Sequence, residues 1–102
     1  MGEAVLRVEG LPRAPLDAAA AFHAQFVPRA RTALAQGEGL VIVFEPAGHE
    51  HRAWRLAAVQ ELAREAAPKR VNAVAGANPV ALAETLAFLS GAPGVTGQLL
   101  GF

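Results

Sequence analysis

Leu40-Val41-Ile42-Val43-Phe44 is a run of five apolar residues with no polar alternation. A strand with one wet face alternates apolar and polar residues; this one reads as covered on both faces, as strands are in parallel α/β sheets. Gly37 and Gly39 end a helix before it, and Pro46 and Gly48 mark a loop after it. Upstream, Asp17 is placed to cap a helix running to about Gln36, with Phe22 and Phe26 at i, i+4 and Pro28 expected to kink it. Before that, Ala4 to Val8 reads as a strand whose internal Arg7 suggests an edge position. Downstream, a helix is expected from about His51 to Ala67, stopped by Pro68, then a strand over Val71 to Ala75. Asn78-Pro79 is a cap residue followed by proline at the first helical position, and that helix should end near Ser90-Gly91. A last strand, Thr96 to Leu100, completes β-α-β-α-β-α-β: an α/β fold with a four-stranded parallel sheet, one domain over residues 1–102.

Composition narrows the function classes. The 102 residues are 53% hydrophobic and 18% charged, apolar for so small a domain, so part of that surface is expected at an interface. Lys+Arg and Asp+Glu stand at nine each, and no basic field favours nucleic acid or an anionic membrane. Arg29, Arg31, Arg52, Arg55, Arg64, Lys69 and Arg70 are dispersed and read as solvated helix faces. The absence of cysteine excludes disulfides and thiolate metal sites. Met1-Gly2-Glu3 opens no secretory signal and no run is long enough to span a membrane, so a cytoplasmic protein is expected.

Several segments resemble the C-terminal half of the short-chain dehydrogenase/reductases. They are Glu61-Leu62-Ala63-Arg64-Glu65-Ala66-Ala67-Pro68, Arg70-Val71-Asn72-Ala73-Val74-Ala75-Gly76, and Phe88-Leu89-Ser90 followed by Val95-Thr96-Gly97-Gln98-Leu99-Leu100. More faintly, Phe26-Val27-Pro28-Arg29 through Gly37-Glu38-Gly39-Leu40-Val41-Ile42-Val43 is similar to the family's long helix leading into its fifth strand. The resemblance implies a truncated Rossmann-like fold lacking the nucleotide-binding half. It also implies a Tyr-x-x-x-Lys pair for proton transfer, yet the chain has no tyrosine. Counted back without gaps, the two positions fall on Gly48 and Arg52; the serine position falls within Phe44-Glu45-Pro46, and a family Pro-Gly becomes Ala75-Gly76. Glycine has no proton to give and arginine is not a compact ammonium. Gly37-Glu38-Gly39 does not replace the cofactor fingerprint, because it closes a helix instead of opening one. Dehydrogenase activity, a bound cofactor and catalytic or cofactor-binding residues are not expected.

One polar constellation remains, Glu45-Pro46-Ala47-Gly48-His49-Glu50-His51-Arg52, after a strand and before a helix, where open α/β sheets place ligands. Glu45, His49 and His51 are the candidates for a metal, against the plainer reading of a solvated loop; a small anion is a further candidate. His23, beside Phe22, reads as a solvated or core-edge histidine, and Ser90 and Thr96 as structural. Trp54, Ala58 and Leu62 form an i, i+4, i+8 line that is either core or an intersubunit seam. If all crossovers are right-handed, the helices crowd one face and the other needs a partner. A homodimer is therefore expected, through the edge residues Val5, Leu6 and Val8 or through the long helices with Phe22 and Phe26. Two functions follow: a non-catalytic homodimeric binding or scaffolding module, with a complete reductase of the same family as a second candidate partner, or a small-molecule or metal-binding protein, or unrecognised enzyme, using the Glu45–Arg52 loop.

Overall fold

The computed structural model describes residues 3–101; Met1 and Gly2, part of the stretch read above for a signal, and Phe102 lie outside the described residues. Strands β1 (Ala4–Val8), β2 (Gly39–Phe44), β3 (Arg70–Ala75) and β4 (Leu99–Gly101) form one sheet in that order, every neighbouring pair parallel. The first crossover is α1 (Pro15–Ala21), a π-helical turn (Phe22–Phe26) and α2 (Val27–Gln36). The second is a 3₁₀ turn (His49–His51) and α3 (Arg52–Ala66), and the third is α4 (Pro79–Ser90). This is the α/β, Rossmann-like order read from the sequence, with Arg7 on an edge strand. Among the described residues no helix is long and apolar enough to cross a membrane.

Strand periodicity of two sorts the core into two layers. Val8, Leu40, Ile42, Phe44, Val71 and Ala73 meet the first two crossovers through Phe22, Phe26, Ala30, Leu34, Ala58, Val59 and Leu62. On the opposite face Val41, Val43 and Val74 meet Leu82, Leu86 and Leu89 of α4. The expectation of all helices on one face is thus corrected. With strands in chain order, a connection on the other face has the opposite hand to the first two, a rare departure from the crossover rule. As a result all six residues of β2 are buried within a single chain. The chain exposes 5799 Å², close to the ~5,500 Å² expected of a compact monomer of this mass. Cover for the central strand, expected from a partner, comes from α4.

Local chemistry explains the element boundaries. The first helix begins at Pro15 with Ala14 at the cap position and no side-chain cap; Asp17 lies in the first turn, where its charge suits the helix dipole, and does not cap. Ala18, Phe22, Phe26, Ala30 and Leu34 are all buried at a constant spacing of four. An α-helix advances such a series by about 40° per step, which would carry it off the core. The wider π turn at Phe22–Phe26 rewinds that drift, and it falls just before Pro28, which cannot donate to the carbonyl a turn back. The interruption expected at Pro28 therefore takes the form of a π turn. The His51 helix start resolves into the 3₁₀ turn followed by Arg52.

The loop into β4 is held by side chains of β3. Asn72, wholly buried, donates from Nδ2 to the Val95 carbonyl (2.9 Å) and accepts at Oδ1 from the Gln98 amide (3.1 Å). Thr96 Oγ1 accepts from the Val71 amide at 3.0 Å, and the Gly97 amide, at φ +71°, donates to the Val71 carbonyl at 2.7 Å. These contacts hold Thr96–Gln98 as a loop, so β4 starts at Leu99, three residues later than expected. Arg70 donates to the Leu89 and Ala92 carbonyls (2.8 and 2.6 Å) at the end of α4 and pairs with Glu3 at 3.0 Å. Arg70 is a structural clamp, and its reading as part of a solvated face is corrected.

Candidate functional site

At the carboxyl end of β2 the chain leaves the sheet at Glu45 and re-enters helix at His49, and the intervening loop overlies the edge where α/β folds present their ligand sites. Glu45 Oε1 accepts from the Gly10 amide at 3.0 Å, tying this loop to the one after β1. The Glu45 carbonyl accepts from Arg55 at 3.1 Å. Arg55 is only 7% exposed, and its guanidinium lies over the Phe44 ring at 4.5 Å from the centroid. Burial lowers its pKa, an effect partly offset by the Glu45 charge. Its Nε is buried without an acceptor, and no carboxylate among the described residues forms an ion pair with it.

Sequence reading placed Arg55 on a solvated face, and that is corrected. Arg55, Val59, Leu62 and Ala66 follow one another at i, i+4, i+7 and i+11, so the apolar stripe itself was the signal that pointed inward.

The candidate metal ligands have separate fates. His51 is 7% exposed and lies beside Trp54. Trp54 Nε1 donates to His51 Nδ1 at 3.0 Å, so the ring proton is on Nε2, which donates to the Arg13 carbonyl at 3.0 Å. Both nitrogens are committed, and neither offers a lone pair to a metal. His49 and Glu50 are exposed, and Glu45 holds Gly10. Among the described residues no three His, Cys, Asp or Glu side chains gather into a set able to hold a metal. His23 is exposed and bonds the Ala19 carbonyl at 2.8 Å, as its plain reading has it.

Three recesses open around the loop. One of about 410 Å³ lies toward β1, between Leu11, Arg13, Glu45, Glu50 and Arg55. A second of about 290 Å³ opens on the α4 side, between Arg7, Glu45, Pro46, Gly76 and Pro79. A third of about 170 Å³ lies toward β4 and contains both Gly48 and Arg52 in its wall, with Ala75. The two positions matched to the tyrosine and lysine by counting are therefore neighbours in space. Neither supplies an acid with a titratable hydroxyl. Thr96 bonds both backbone groups of Val71, and Ser90 ends α4; both lie at the opposite edge of the sheet, because α4 runs against the strands.

Of the residues considered for an interface, Val8, Phe22, Phe26, Ala58 and Leu62 belong to the chain's own core. Trp54 packs half-buried on Phe22 and Phe44 (5.6 and 5.8 Å between rings), and Leu6 rests on the same core. The helix-seam reading is set aside on that ground. Only Val5, 48% exposed, remains free. The exposed apolar residues lie elsewhere: Val80 and Phe88 of α4 are 67% and 58% exposed, and Leu16 is 87% exposed.

The family model described as SDR-like, short chain dehydrogenase-like protein, matches residues 6–102. Neither the curated proteins nor the solved structures compared with the chain gave a match. The match spans nearly the whole described chain, and the parallel α/β order of elements is in keeping with it: the chain belongs to the SDR-like family of short chain dehydrogenase-like proteins.

Proposed function

We propose that this chain is a non-catalytic member of its family that works by association, pairing with a second copy of itself through the outer face of α4. The observation that carries this reading is the chemistry of that face. Val80, Ala83, Ala87 and Phe88 are exposed there, and Glu84 is the only charged residue of the helix. The other helices turn charge outward: Arg29 and Arg31 on α2, Arg52, Glu61, Arg64 and Glu65 on α3. A helix apolar on two sides belongs between two layers.

The apolar residues of the face are self-complementary, with the like-charged Glu84 pair at the crossing left to point to solvent and opposing the contact. Two copies crossing antiparallel near Glu84 and Thr85 set Val80 against Phe88 of the partner subunit and Ala83 against Ala87 of the partner subunit, as an isologous contact requires. Covering the exposed parts of Val80 and Phe88 in both subunits removes on the order of 400 Å² of apolar surface, about 10 kcal/mol gross at ~25 cal/mol per Å². Association costs of ~4–15 kcal/mol consume most or all of it; at the low end about 6 kcal/mol remains, which sets the expectation at a weak dimer with a Kd of tens of micromolar. The absence of tyrosine and the glycine at position 48 support the non-catalytic part.

Sedimentation velocity over a micromolar concentration series tests the association. The wild type is expected to dimerise and the double variant Val80→Asp, Phe88→Asp to sediment as a monomer with an unchanged circular dichroism spectrum. A wild type that remains monomeric at 100 μM refutes the proposal (about −5.5 kcal/mol is then not reached).

A further inference from the structure

We propose that the recess beside β1 is a binding site for a small zwitterion, a free α-amino acid with an apolar side chain. At about 410 Å³ it falls within the ~300–1,000 Å³ of small-molecule sites. It lies between the loop after β1 and the loop after β2, and two hydrogen bonds tie those loops together. The Gly10 amide donates to Glu45 Oε1 at 3.0 Å, and His51 Nε2 donates to the Arg13 carbonyl at 3.0 Å. The walls are therefore fixed before a ligand enters, which lowers the ordering cost of binding. His51, buried and with both ring nitrogens committed, thereby holds Arg13 in the wall.

The wall carries two cations, Arg13 and Arg55, and two carboxylates, Glu45 and Glu50, so it has no net charge with which to select a simple ion. Arg55 is more than nine-tenths buried. Its Nη1 donates to the Glu45 carbonyl and its Nε is sealed, which leaves Nη2 as the nitrogen neither bonded nor closed off. A desolvated guanidinium with an open donor favours a carboxylate. The Glu45 charge acts on the same guanidinium, so an acceptor for an ammonium stands beside the donor for a carboxylate. A ligand with both groups on one carbon, an α-amino acid, meets that pairing. Among the described residues no hydrogen bond or ion pair holds the side chain of Arg13 or of Glu50. The Glu50 carboxylate lies against Gly48, in the space that a β-carbon there would take. Val8 and Ala18, both buried, and the half-buried Leu11 give the apolar surface for the ligand's side chain. No residue of α4 lines the recess, so the association proposed above can fail while this inference stands.

The test is a titration of the full chain with L-leucine, by calorimetry and by melting temperature. L-leucine is expected to raise the melting temperature saturably. Isocaproate, which lacks the ammonium, and L-leucinamide, which lacks the carboxylate, should each bind at least tenfold more weakly, because either leaves charged groups of the wall unpaired. Glycine, without the apolar group, should also bind more weakly. Arg13→Ala and Glu50→Gln should each weaken L-leucine binding at least tenfold with an unchanged circular dichroism spectrum; Arg64→Ala, at the far end of α3, should leave it unchanged. The inference is overturned by L-leucine giving no saturable shift, by isocaproate or glycine matching L-leucine, or by either Arg13→Ala or Glu50→Gln binding as the wild type does.

Discussion

Replacing Asn72 separates hydrogen bonding from packing in the segment that positions α4. Asn72 is wholly buried, and its amide joins the Val95 carbonyl to the Gln98 amide. Asn72→Ala removes two hydrogen bonds, each worth about 1 kcal/mol net, and orphans two backbone groups at about 1–3 kcal/mol each where water is excluded. Gln98 is exposed and Val95 only half-buried, so water offsets part of the second cost. The expected loss is then about 2–4 kcal/mol, which for a domain of this size lowers the melting temperature by roughly 10–25 °C. Asn72→Leu is the informative companion. It fills the space and restores no hydrogen bond, so it should destabilise about as much as Asn72→Ala. Urea unfolding followed by circular dichroism and by Trp54 fluorescence measures both. An Asn72→Leu protein within about 1 kcal/mol of the wild type would refute the reasoning, because the site would then be a packing position only.

Trp54→Phe should cost about 1–2 kcal/mol by removing the indole donor to His51. The Arg13 carbonyl still requires the proton on His51 Nε2, so the tautomer should be kept while the Nδ1 resonance moves on loss of its donor; a shift to the Nδ1–H tautomer would refute the assignment. Glu65 receives both Arg31 Nε and Arg31 Nη2 (2.8 and 2.9 Å), and those bonds hold its pKa below the usual carboxylate value. A carboxylate depressed in the folded state adds stability that is present above its unfolded pKa and lost as the pH falls through the folded one. Unfolding midpoints of Glu65→Gln should therefore fall less steeply than those of the wild type below about pH 4.5, with the two curves closest at the acid end.

Much of the fold was legible because its signals are local. The unbroken Leu40–Phe44 run named a strand covered on both faces, Asn78-Pro79 named a helix start, and Asn78 does cap, accepting from the Val80 and Ala81 amides. Which face α4 covers was not legible, since either hand of a crossover satisfies the same apolar pattern and the choice is made by contacts distant in sequence. The candidate site was legible as a place but not as chemistry. His51 and Arg55 are polar residues that read as solvated, yet each is buried and anchored to a backbone carbonyl, that of Arg13 or Glu45. The π turn had a signal in the constant four-residue spacing from Ala18 to Leu34, visible only if the periodicity is followed past Pro28.

The two stretches that most resemble complete reductases, Arg70-Val71-Asn72-Ala73 and Thr96-Gly97-Gln98, prove to be halves of one physical unit. Arg70 grips the carbonyls at the end of α4, Val71 exchanges bonds with Thr96 and Gly97, and Asn72 bridges Val95 to Gln98. Every partner in this set is a backbone group, a structural ion pair or a side chain at the amino edge of the sheet, remote from the Gly48–Arg52 recess. At position 48, matched to the family tyrosine by counting, the chain has glycine. The lock has a folding role: α4 sits on the face opposite the other helices, and the loop after it has to return to β4 alongside β3. The segments that most resemble the family are thus the ones that tie the end of α4 and the loop after it to β3. α4 in turn both buries Val41, Val43 and Val74 and presents the apolar face through which a second copy is proposed to bind.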